Sequence, residues 1–527
     1  MAITRRKMLG SAAAASLLPF VGSHALGRAA DLDVAIVGGG VAGAYTAWRL
    51  ATAAPQLKLR LFEMSDRIGG RLRSIAFPEA PHLEGEVGGM RFLDAHRHVA
   101  PLVAHLKLPR RGYPLMGPNN RLDLRGRSLT YEQAKAAKSP PFTYNVPPEE
   151  MRPNSPVYLD RIARIIPDAK TMTAEKWKRQ RTGYRYKGRP LKDWAGWMLL
   201  SDVFSREELA FGDDAGGYDQ DESINGLNAM DFNFMGPDFS KPFYTVVGGY
   251  QRLPLALAMQ ARKLGADVAM HTRLRSVIAP SRPGEAFQLA FEGANGVRTN
   301  VTAKQVVLAL PRRSIELIDE FPLRRDPAFA DLISAVTPVA TCKALLLYPR
   351  PWWHDEGIAG GRSVTDMPAR QFYVLGSEKE RTAAEPTNGF GVLMMYCNAR
   401  PVQYWKASVP PAKADAAGFQ WLSPQSQLVQ EVHHEAALTY AAAPPQPVAA
   451  CFQDWTADPY GGGWHDWGLG RDNLALADRV LKPLPDHSLY ICGEAYGTYE
   501  SGWVETALER AEAMLQRHFG LKPAAWL

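Results

Sequence analysis

The sequence predicts an α/β fold organised on a parallel sheet, on three observations within residues 33–63. Residues 34–37 form a short apolar run rich in β-branched residues, as a strand buried on both faces requires. The run leads straight into Gly38-Gly39-Gly40-Val41-Ala42-Gly43, a G-x-G-x-x-G, and then into a helix-like segment at 42–54. A second strand at 57–62 ends on Glu63, 20 residues beyond Gly43. Glycines at these places allow the tight turn and bring a pyrophosphate onto the backbone at the helix N-terminus, while the acid reaches a ribose hydroxyl. Alone, the glycines would mark an ordinary turn. With strand, helix and acid at the required spacing, they predict a Rossmann-type dinucleotide-binding half.

Asp66-Arg67-Ile68-Gly69-Gly70-Arg71 follows the acid directly. Two glycines between arginines can present backbone N–H groups and a guanidinium to one pyrophosphate, although residue types alone equally describe an exposed basic turn. Near the other end, residues 488–492 (SLYIC) read as a strand, followed by Gly493-Glu494 and a helix opening at Gly502-Trp503-Val504-Glu505. The E-x-x-D-R-I-G-G-R segment resembles the second glycine motif of FAD-dependent amine and amino-acid oxidases. The G-E…G-W segment is similar to that family's closing motif, which caps the flavin end of the cofactor. Three separated motifs in this order imply FAD.

Residues 1–30 read as a targeting segment. Thr4-Arg5-Arg6-Lys7-Met8-Leu9 is a twin-arginine sequence ahead of a short Ala-rich apolar run at 11–21, with Ser23-His24-Ala25 as a cleavage site. The run is too short and too weakly apolar to span a membrane. Export in a folded state, after FAD is collected in the cytoplasm, is the expectation, giving a periplasmic or secreted protein. The segment holds four of the 61 basic residues and no acid, so the net charge of +7 falls to +3 without it. Such a balance implies neither a nucleic acid nor a membrane as partner. An apolar content of 46% with 22% charged residues is that of a globular chain, and 527 residues allow two or three domains. Cys342, Cys397, Cys451 and Cys492 show no C-x-x-C or His/Cys spacing, so no metal site is expected. Cys342 and Cys397 are a conceivable pair in an oxidising compartment, whereas Cys492, in an apolar strand, reads as a buried thiol.

Residues 84–92 read EGEVGGMRF. Gly88 and Gly89 let the backbone pass close to a ligand, with Met90 and Arg91 following. G-G-M-R-F resembles the G-x-M-R turn of L-amino-acid oxidases, which lies against the isoalloxazine and whose arginine forks onto the substrate carboxylate. Monoamine oxidases lack this arginine. The resemblance therefore implies an amino-acid substrate held by Arg91. A helix is expected at 93–108, closed by Pro109, and strands within 122–131 around Arg125-Gly126-Arg127. Residues 131–243 differ in character, rich in Pro, Lys, Arg, Trp and acids, with helical patches at 157–166, 191–204 and 206–211. The basic stretch at 174–189 reads as a solvated helix face and loop. In place, the region is similar to the helical domain that walls the substrate funnel in L-amino-acid oxidases. Asp219, Asp221, Glu222 and Asp231 read mostly as exposed loop acids; one turned into the funnel would favour a cationic side chain such as that of arginine or lysine.

Residues 246–254 (VVGGYQRLP) resemble the family's G-G-x-x-x-L-P, which opens a helix running to 264 with Pro254 in its first turn. Strands follow at 266–270 and 273–278, where Val277 matches the residue whose backbone contacts the adenine, and at 305–310. Residues 341–347 (TCKALLL) place one lysine in an apolar strand. An isolated buried ammonium is costly, so Lys343 must be partnered or aimed at a wet cavity, as a snorkelling edge lysine usually is. In the family it resembles, the matching lysine holds a water against flavin N5, which implies a catalytic role for Lys343. Residues 360–368 (GGRSVTDMP) resemble the G-G-[KR]-S-T-T-D-L-P segment of L-amino-acid oxidases. The strand at 391–396 then carries Tyr396, by itself a packing residue, in the register of the family's second carboxylate ligand.

Residues 401–447 are rich in Ala, Pro and Gln, with one helix at 425–440 preceded by Ser423 and Pro424 as cap and first-turn proline. His433-His434 has no partner nearby for a metal. Residues 452–464 fall where the family has W-x-x-x-P-Y-x-x-G; the loop contains no cysteine, so FAD is expected to be non-covalent. The final helix, 502–519, repeats apolar residues at Trp503, Ala507, Ala511, Met514 and Leu515. By resemblance, Trp503, next to Gly502, is also the aromatic wall beside the flavin. One departure is that GEAYGTYESGW has one more residue between Gly493-Glu494 and Gly502-Trp503 than the L-amino-acid oxidase pattern, which bears on side-chain preference.

The resemblance covers most of the chain beyond residue 30 and is weakest at 131–243. It implies a glutathione-reductase-like, Rossmann-type FAD-binding domain at 31–87, 246–320 and 450–527. A mixed-sheet substrate domain at 88–130 and 321–449 and a helical domain at 131–245 complete the expectation. The cofactor-binding residues implied are Gly38, Gly40, Val41, Ala42, Gly43, Glu63, Arg71, Gly88, Gly89, Met90, Arg91, Val277, Glu494, Trp503 and Val504. Arg91, Tyr396, Gly502 and Trp503 are implied to bind substrate. The reaction implied is oxidative deamination of an L-amino acid to the 2-oxo acid and ammonia. With no second G-x-G-x-x-G to bind NAD(P)H, O2 reoxidises the flavin to give hydrogen peroxide. An amine or polyamine oxidase would share every FAD motif, an L-amino-acid 2-monooxygenase would share the pocket, and a non-catalytic exported FAD-binding protein is the reading from another class. The sequence leaves a homodimer open.

Overall fold

In the computed structural model, described for residues 30–137, 141–146, 156–219, 224–236, 241–282, 284–377, 389–409, 414–415, 417–499 and 502–527, the first apolar run becomes the Leu32–Val37 strand. The twin-arginine sequence, Asp221 and Glu222 lie outside the described residues. Leu32–Val37 pairs in parallel with Leu59–Phe62 on one side and Arg298–Leu308 on the other. Asp267–Ala269 and Leu489–Ile491 extend the parallel part, and Phe287–Glu292 with Arg273–Ile278 add an antiparallel wing, giving seven strands. Val34, Ala35 and Ile36 are fully buried because both faces are covered, which is why the run is apolar without alternation. On one face the helices Val41–Ala53, Arg252–Lys263 and Val504–Phe519 pack together with Tyr45, Leu257 and Leu508 between them. The second strand starts at Leu59 rather than 57 because Leu57 donates to the Ala54 carbonyl and closes the turn after the helix.

A second sheet of eight strands runs in the order Phe419–Leu422, Ala449–Asp454, Thr341–Tyr348, Gly391–Asn398, Gln371–Ser377, Gly361–Thr365, Arg121–Leu124, Arg127–Thr130. Its central strands are buried on both faces and again read as unbroken apolar runs. One face packs Leu346, Tyr348, Phe372 and Met395 against the helix Gln427–Tyr440. The other carries Leu345, Tyr373, Met394 and Tyr396. Cys342 and Cys397 face each other across the first of these surfaces, as thiols 3.3 Å apart; all four cysteines are buried and unbridged.

Two expected helices differ. The one at 93–108 shrinks to Val99–His105, because Phe92–Leu93 is drawn into a strand pairing with Phe243–Val246. Its open N-terminus is satisfied from across the chain by Glu505, which accepts the N–H groups of His98 and Val99. The one at 425–440 starts at Gln427, and Ser423 instead accepts the Gln425 N–H in the turn before it. Among the described residues, five α-helices between 156 and 235 enclose a separate core of Ile162, Ile166, Trp177, Leu199, Leu227 and Met230. Its Arg206–Gly216 helix outruns the expected patch at 206–211 and stops at Gly217, where φ is +71°. Among the described residues no helix is long and apolar enough to cross a membrane.

Candidate active site

The glycine turn forms at the C-terminal end of the first strand. Gly38 donates to the Phe62 carbonyl, and Gly43 lies so close to it that a methyl group there would stand 1.9 Å from the Gly38 oxygen. The Val41–Ala53 helix that follows has glycine as N-cap, no side-chain cap and no acid in its first turn. Its leading N–H groups, those of Val41, Ala42 and Gly43 among them, are thus left for an anion, and the helix dipole adds to the attraction. The second glycine motif is laid on the first: Gly40 bridges Gly69, and the Gly69 N–H donates to the Gly39 carbonyl. A methyl on Gly70 would meet Gly40 Cα at 3.1 Å, so side chains are excluded where the two loops cross. Glu63 is buried, with one oxygen accepting the Gly39 N–H at 2.7 Å and the other held by Ser65. A dinucleotide cradle of this shape fits FAD: open amides for pyrophosphate, an oriented carboxylate for a ribose.

The two distant motifs meet through charge. Arg71 forms an ion pair with Glu494 at 2.7 Å and donates to the Gly463 carbonyl. Glu494 also accepts the N–H groups of His465 and Gly502. Burial would raise its pKa, but Arg71 and His465 outweigh that and hold it down at about 2. Arg71 is therefore the clasp between the start and the end of the chain, more than the free pyrophosphate ligand expected. His465, which no local motif marks, completes the clasp.

The turn at 86–91 is gripped from the second sheet and from Trp455. Lys343 donates to the carbonyls of Gly88 at 2.6 Å and Glu86 at 3.3 Å, and the Trp455 indole donates to Val87 at 2.7 Å. Gly88 has no room for a side chain, since a methyl would lie 2.1 Å from the Arg71 carbonyl. Met90 is buried, its sulfur accepting from Tyr113 and Lys343. Arg91 turns into an aromatic box, its guanidinium 5.2 Å from the Phe243 ring centre, 5.3 Å from Tyr373 and 5.8 Å from Tyr113. Arg91 is buried, yet among the described residues its Nε and Nη1 have no hydrogen-bond partner. Burial lowers the Lys343 pKa to about 7, partly offset by Glu86.

Strand register decides what shares this space. Lys343 stands opposite Tyr396, and Tyr396 opposite Gln371. The next row on the same face is Leu345, Met394, Tyr373 and Arg362. The Tyr396 ring centre is 4.9 Å from the Lys343 ammonium. Tyr373 donates to Gln371 Oε1, which also accepts from Arg362. Across the pocket, Trp503 is half-buried between His96 and Phe243. Gly502, with φ of +83°, lies against Trp464, 3.3 Å from where a methyl would sit. The sequence singles out Lys343 and Tyr396; it places Arg362 and Trp464 inside family-like segments without a role of their own, and marks neither Gln371 nor Tyr373. A two-residue spacing links Gln371 to Tyr373, but nothing in the sequence says which face they occupy.

Other expectations fare differently. Val277 sends its side chain into the core and its N–H to the Glu320 carbonyl, so that amide is not open to an adenine. The part of this strand that borders Glu63 is its beginning, where Thr272 donates to the Glu63 carbonyl. Asp231 is sealed against Arg181 and Trp177, away from any funnel, and Asp219 pairs with Arg370. A pull on a basic substrate side chain therefore has no support from these two acids. Among the described residues no group of His, Cys, Asp and Glu could hold a metal.

A family model described as flavin containing amine oxidoreductase matches residues 41–514. Aplysianin-A of Aplysia kurodai is 25% identical over 522 residues, spanning 93% of this chain and 90% of its own length. Achacin of Lissachatina fulica is 24% identical over 515 residues, spanning 93% of each. An L-amino-acid oxidase of Bungarus fasciatus is 25% identical over 388 residues, 72% of this chain and 69% of its own. Among solved structures, putrescine oxidase bound to putrescine superposes with a TM-score of 0.65 at 17% identity, covering 93% of this chain and 99% of that one. The last likeness is one of fold.

Proposed function

The chain belongs to the flavin-containing amine oxidoreductases, and on that premise we propose that it is an FAD-dependent oxidase of L-amino acids, yielding the 2-oxo acid, ammonia and hydrogen peroxide. The observation that carries this reading is Arg91, a buried cation with open donors at Nε and Nη1. Such a group is costly until an anion completes it. A carboxylate takes two guanidinium N–H groups at once, which fixes both position and angle. A simple amine offers Arg91 nothing. The same argument disfavours a polyamine as substrate.

The other residues divide the work. Tyr396, on the sheet face beside Lys343, supplies a hydroxyl to the carboxylate; Trp503 and Trp464 narrow the approach to the reacting carbon on either side of Gly502. The flavin, when bound, supplies the two-electron acceptor. Lys343 is held by two backbone carbonyls and titrates at about 7, so it can release or take up a proton near neutrality and, when charged, adds positive potential beside the turn that faces the flavin. FAD is bound without a covalent link: Cys492, the cysteine nearest the chain's end, is packed in the core beneath the first helix. Residues 1–30 direct export by the twin-arginine route, which cell fractionation would test.

Anaerobic mixing of the flavin-loaded protein with L-amino acids and with primary amines tests the reading. Loss of oxidised-flavin absorbance with L-amino acids and none with amines is expected. The reverse pattern would move the protein to the amine oxidases and remove the role given to Arg91. Product analysis separates 2-oxo acid from the amide that a 2-monooxygenase would leave.

A further inference from the structure

Arg91 is not the only cation on this surface without a carboxylate partner among the described residues: Arg362, half-buried, is a second. Arg362, directly across the strand pair from Tyr373, puts both its Nη1 hydrogens on protein: one on the Gly216 carbonyl at 3.1 Å, one on Gln371 Oε1 at 3.2 Å. Its Nε is buried and has no partner. No carboxylate pairs with Arg91 or Arg362 among the described residues. The acids nearby are engaged elsewhere: Asp214 and Asp219 by Arg370, Glu86 by Ser74 and the Tyr250 N–H, Glu84 by Arg111. Glu84 and Glu86 line a cavity of about 290 Å3 with Arg111 and Tyr113 among its walls.

The two guanidiniums are joined through a short run of aromatic groups. Tyr373 lies 5.3 Å from Arg91, and its hydroxyl shares Gln371 Oε1 with Arg362. Tyr218 lies 5.9 Å from Arg362 and meets Tyr396 edge-on. Burial would raise the Tyr373 pKa, yet the two cations together lower it, so their fields overlap at its hydroxyl. The helix end at Gly216 offers Arg362 a partial negative charge, which offsets its desolvation in part and leaves its Nε N–H without a partner among the described residues.

We infer that Arg362 is a second anion subsite, and that this pocket is shaped for an L-amino acid with a carboxylate on its side chain, the α-carboxylate on Arg91 and the distal one on Arg362. The inference rests on the L-amino-acid reading above. It replaces the basic side chain that the loop acids had suggested with an acidic one.

The test compares L-glutamate with L-glutamine, which are near-isosteric and differ at the distal group alone, an acceptor-only carboxylate against a neutral amide with one acceptor. Glutamate is expected to reduce the flavin with kcat/KM about 100-fold or more above glutamine, as a site with unmet donors rejects the ligand that cannot satisfy them. In Arg362→Gln that ratio should fall towards one, while Arg362→Lys keeps part of it. A wild-type measurement needs no variant to fold: glutarate should perturb the flavin spectrum and compete with substrate at far lower concentration than butyrate. If glutamate is no better than glutamine, or if Arg362→Gln keeps the ratio, the subsite is overturned while turnover of L-amino acids still stands. If no L-amino acid reduces the flavin, the reading beneath it fails as well.

Discussion

The nucleotide cradle and the sheet face that completes the pocket are built on opposite plans. In the cradle the chemistry comes from backbone amides and from residues close in sequence, with Gly38 to Gly43 supplying a turn and Glu63 tied to the Gly39 N–H. On the sheet face Lys343, Tyr396, Gln371, Tyr373 and Arg362 come from four strands and meet only through register. A one-residue slip of any strand would turn its side chains to the other face. The cradle is thus intolerant of added atoms, whereas the sheet face is intolerant of shifted pairing.

The contrast is broken hardest at Gly43. Gly43→Ala should abolish flavin retention, because the methyl has only 1.9 Å to the Gly38 carbonyl. The flavin-to-protein absorbance ratio after purification reads it; a fully loaded variant would mean that the turn can open. Arg91→Met, on the other side of the comparison, should still bind flavin but lose about 1,000-fold in kcat/KM for L-amino acids, the worth of two charge-assisted hydrogen bonds. A fall below tenfold would show that the carboxylate is held elsewhere.

Lys343 sharpens the boundary between the two regions, since it holds the cradle-side turn from the sheet. Reoxidation of reduced flavin by O2 should slow as pH rises through about 7, where Lys343 loses its charge. In Lys343→Met the rate should be lower by about 100-fold and flat across that range. A wild-type rate independent of pH there would remove the electrostatic role.

The smallest effect lies behind the sheet. Glu435, on the Gln427–Tyr440 helix, accepts the Ala369 N–H, and burial, aided by Glu431 and Asp123, lifts its pKa from 4.5 to about 7. Between those values the folded protein keeps a proton that the unfolded chain has lost, so stability falls as pH rises from 4.5 to 7. Glu435→Gln keeps the acceptor and should remove that fall, about 3 kcal/mol at most. Denaturation midpoints at pH 5 and 7 (roughly the two ends of this window) would show parallel shifts in both proteins if Glu435 played no part.

Most of the nucleotide half was legible because its requirements are local. A buried parallel strand must be continuously apolar, a phosphate turn must lack Cβ atoms, and the acid must stand at the end of the next strand. These constraints fix residue types at fixed spacings. Helix starts were less legible where a remote residue did the capping, as Glu505 does for Val99–His105. That the Val277 N–H goes to the Glu320 carbonyl could not be read from the sequence, because a strand's N–H groups alternate in direction and their partners are set by the fold.

By itself the sequence determined the α/β architecture and the tight glycine turn at the end of the first strand, both of which are written in short stretches of chain. Tertiary structure alone decided that Arg71 clasps Glu494, that Asp231 is sealed away from the pocket, and that Arg362 shares a face with Tyr396. Those are statements about which distant residues lie against one another, set by helix packing around Asp231 and by strand register around Arg362, not by any local pattern.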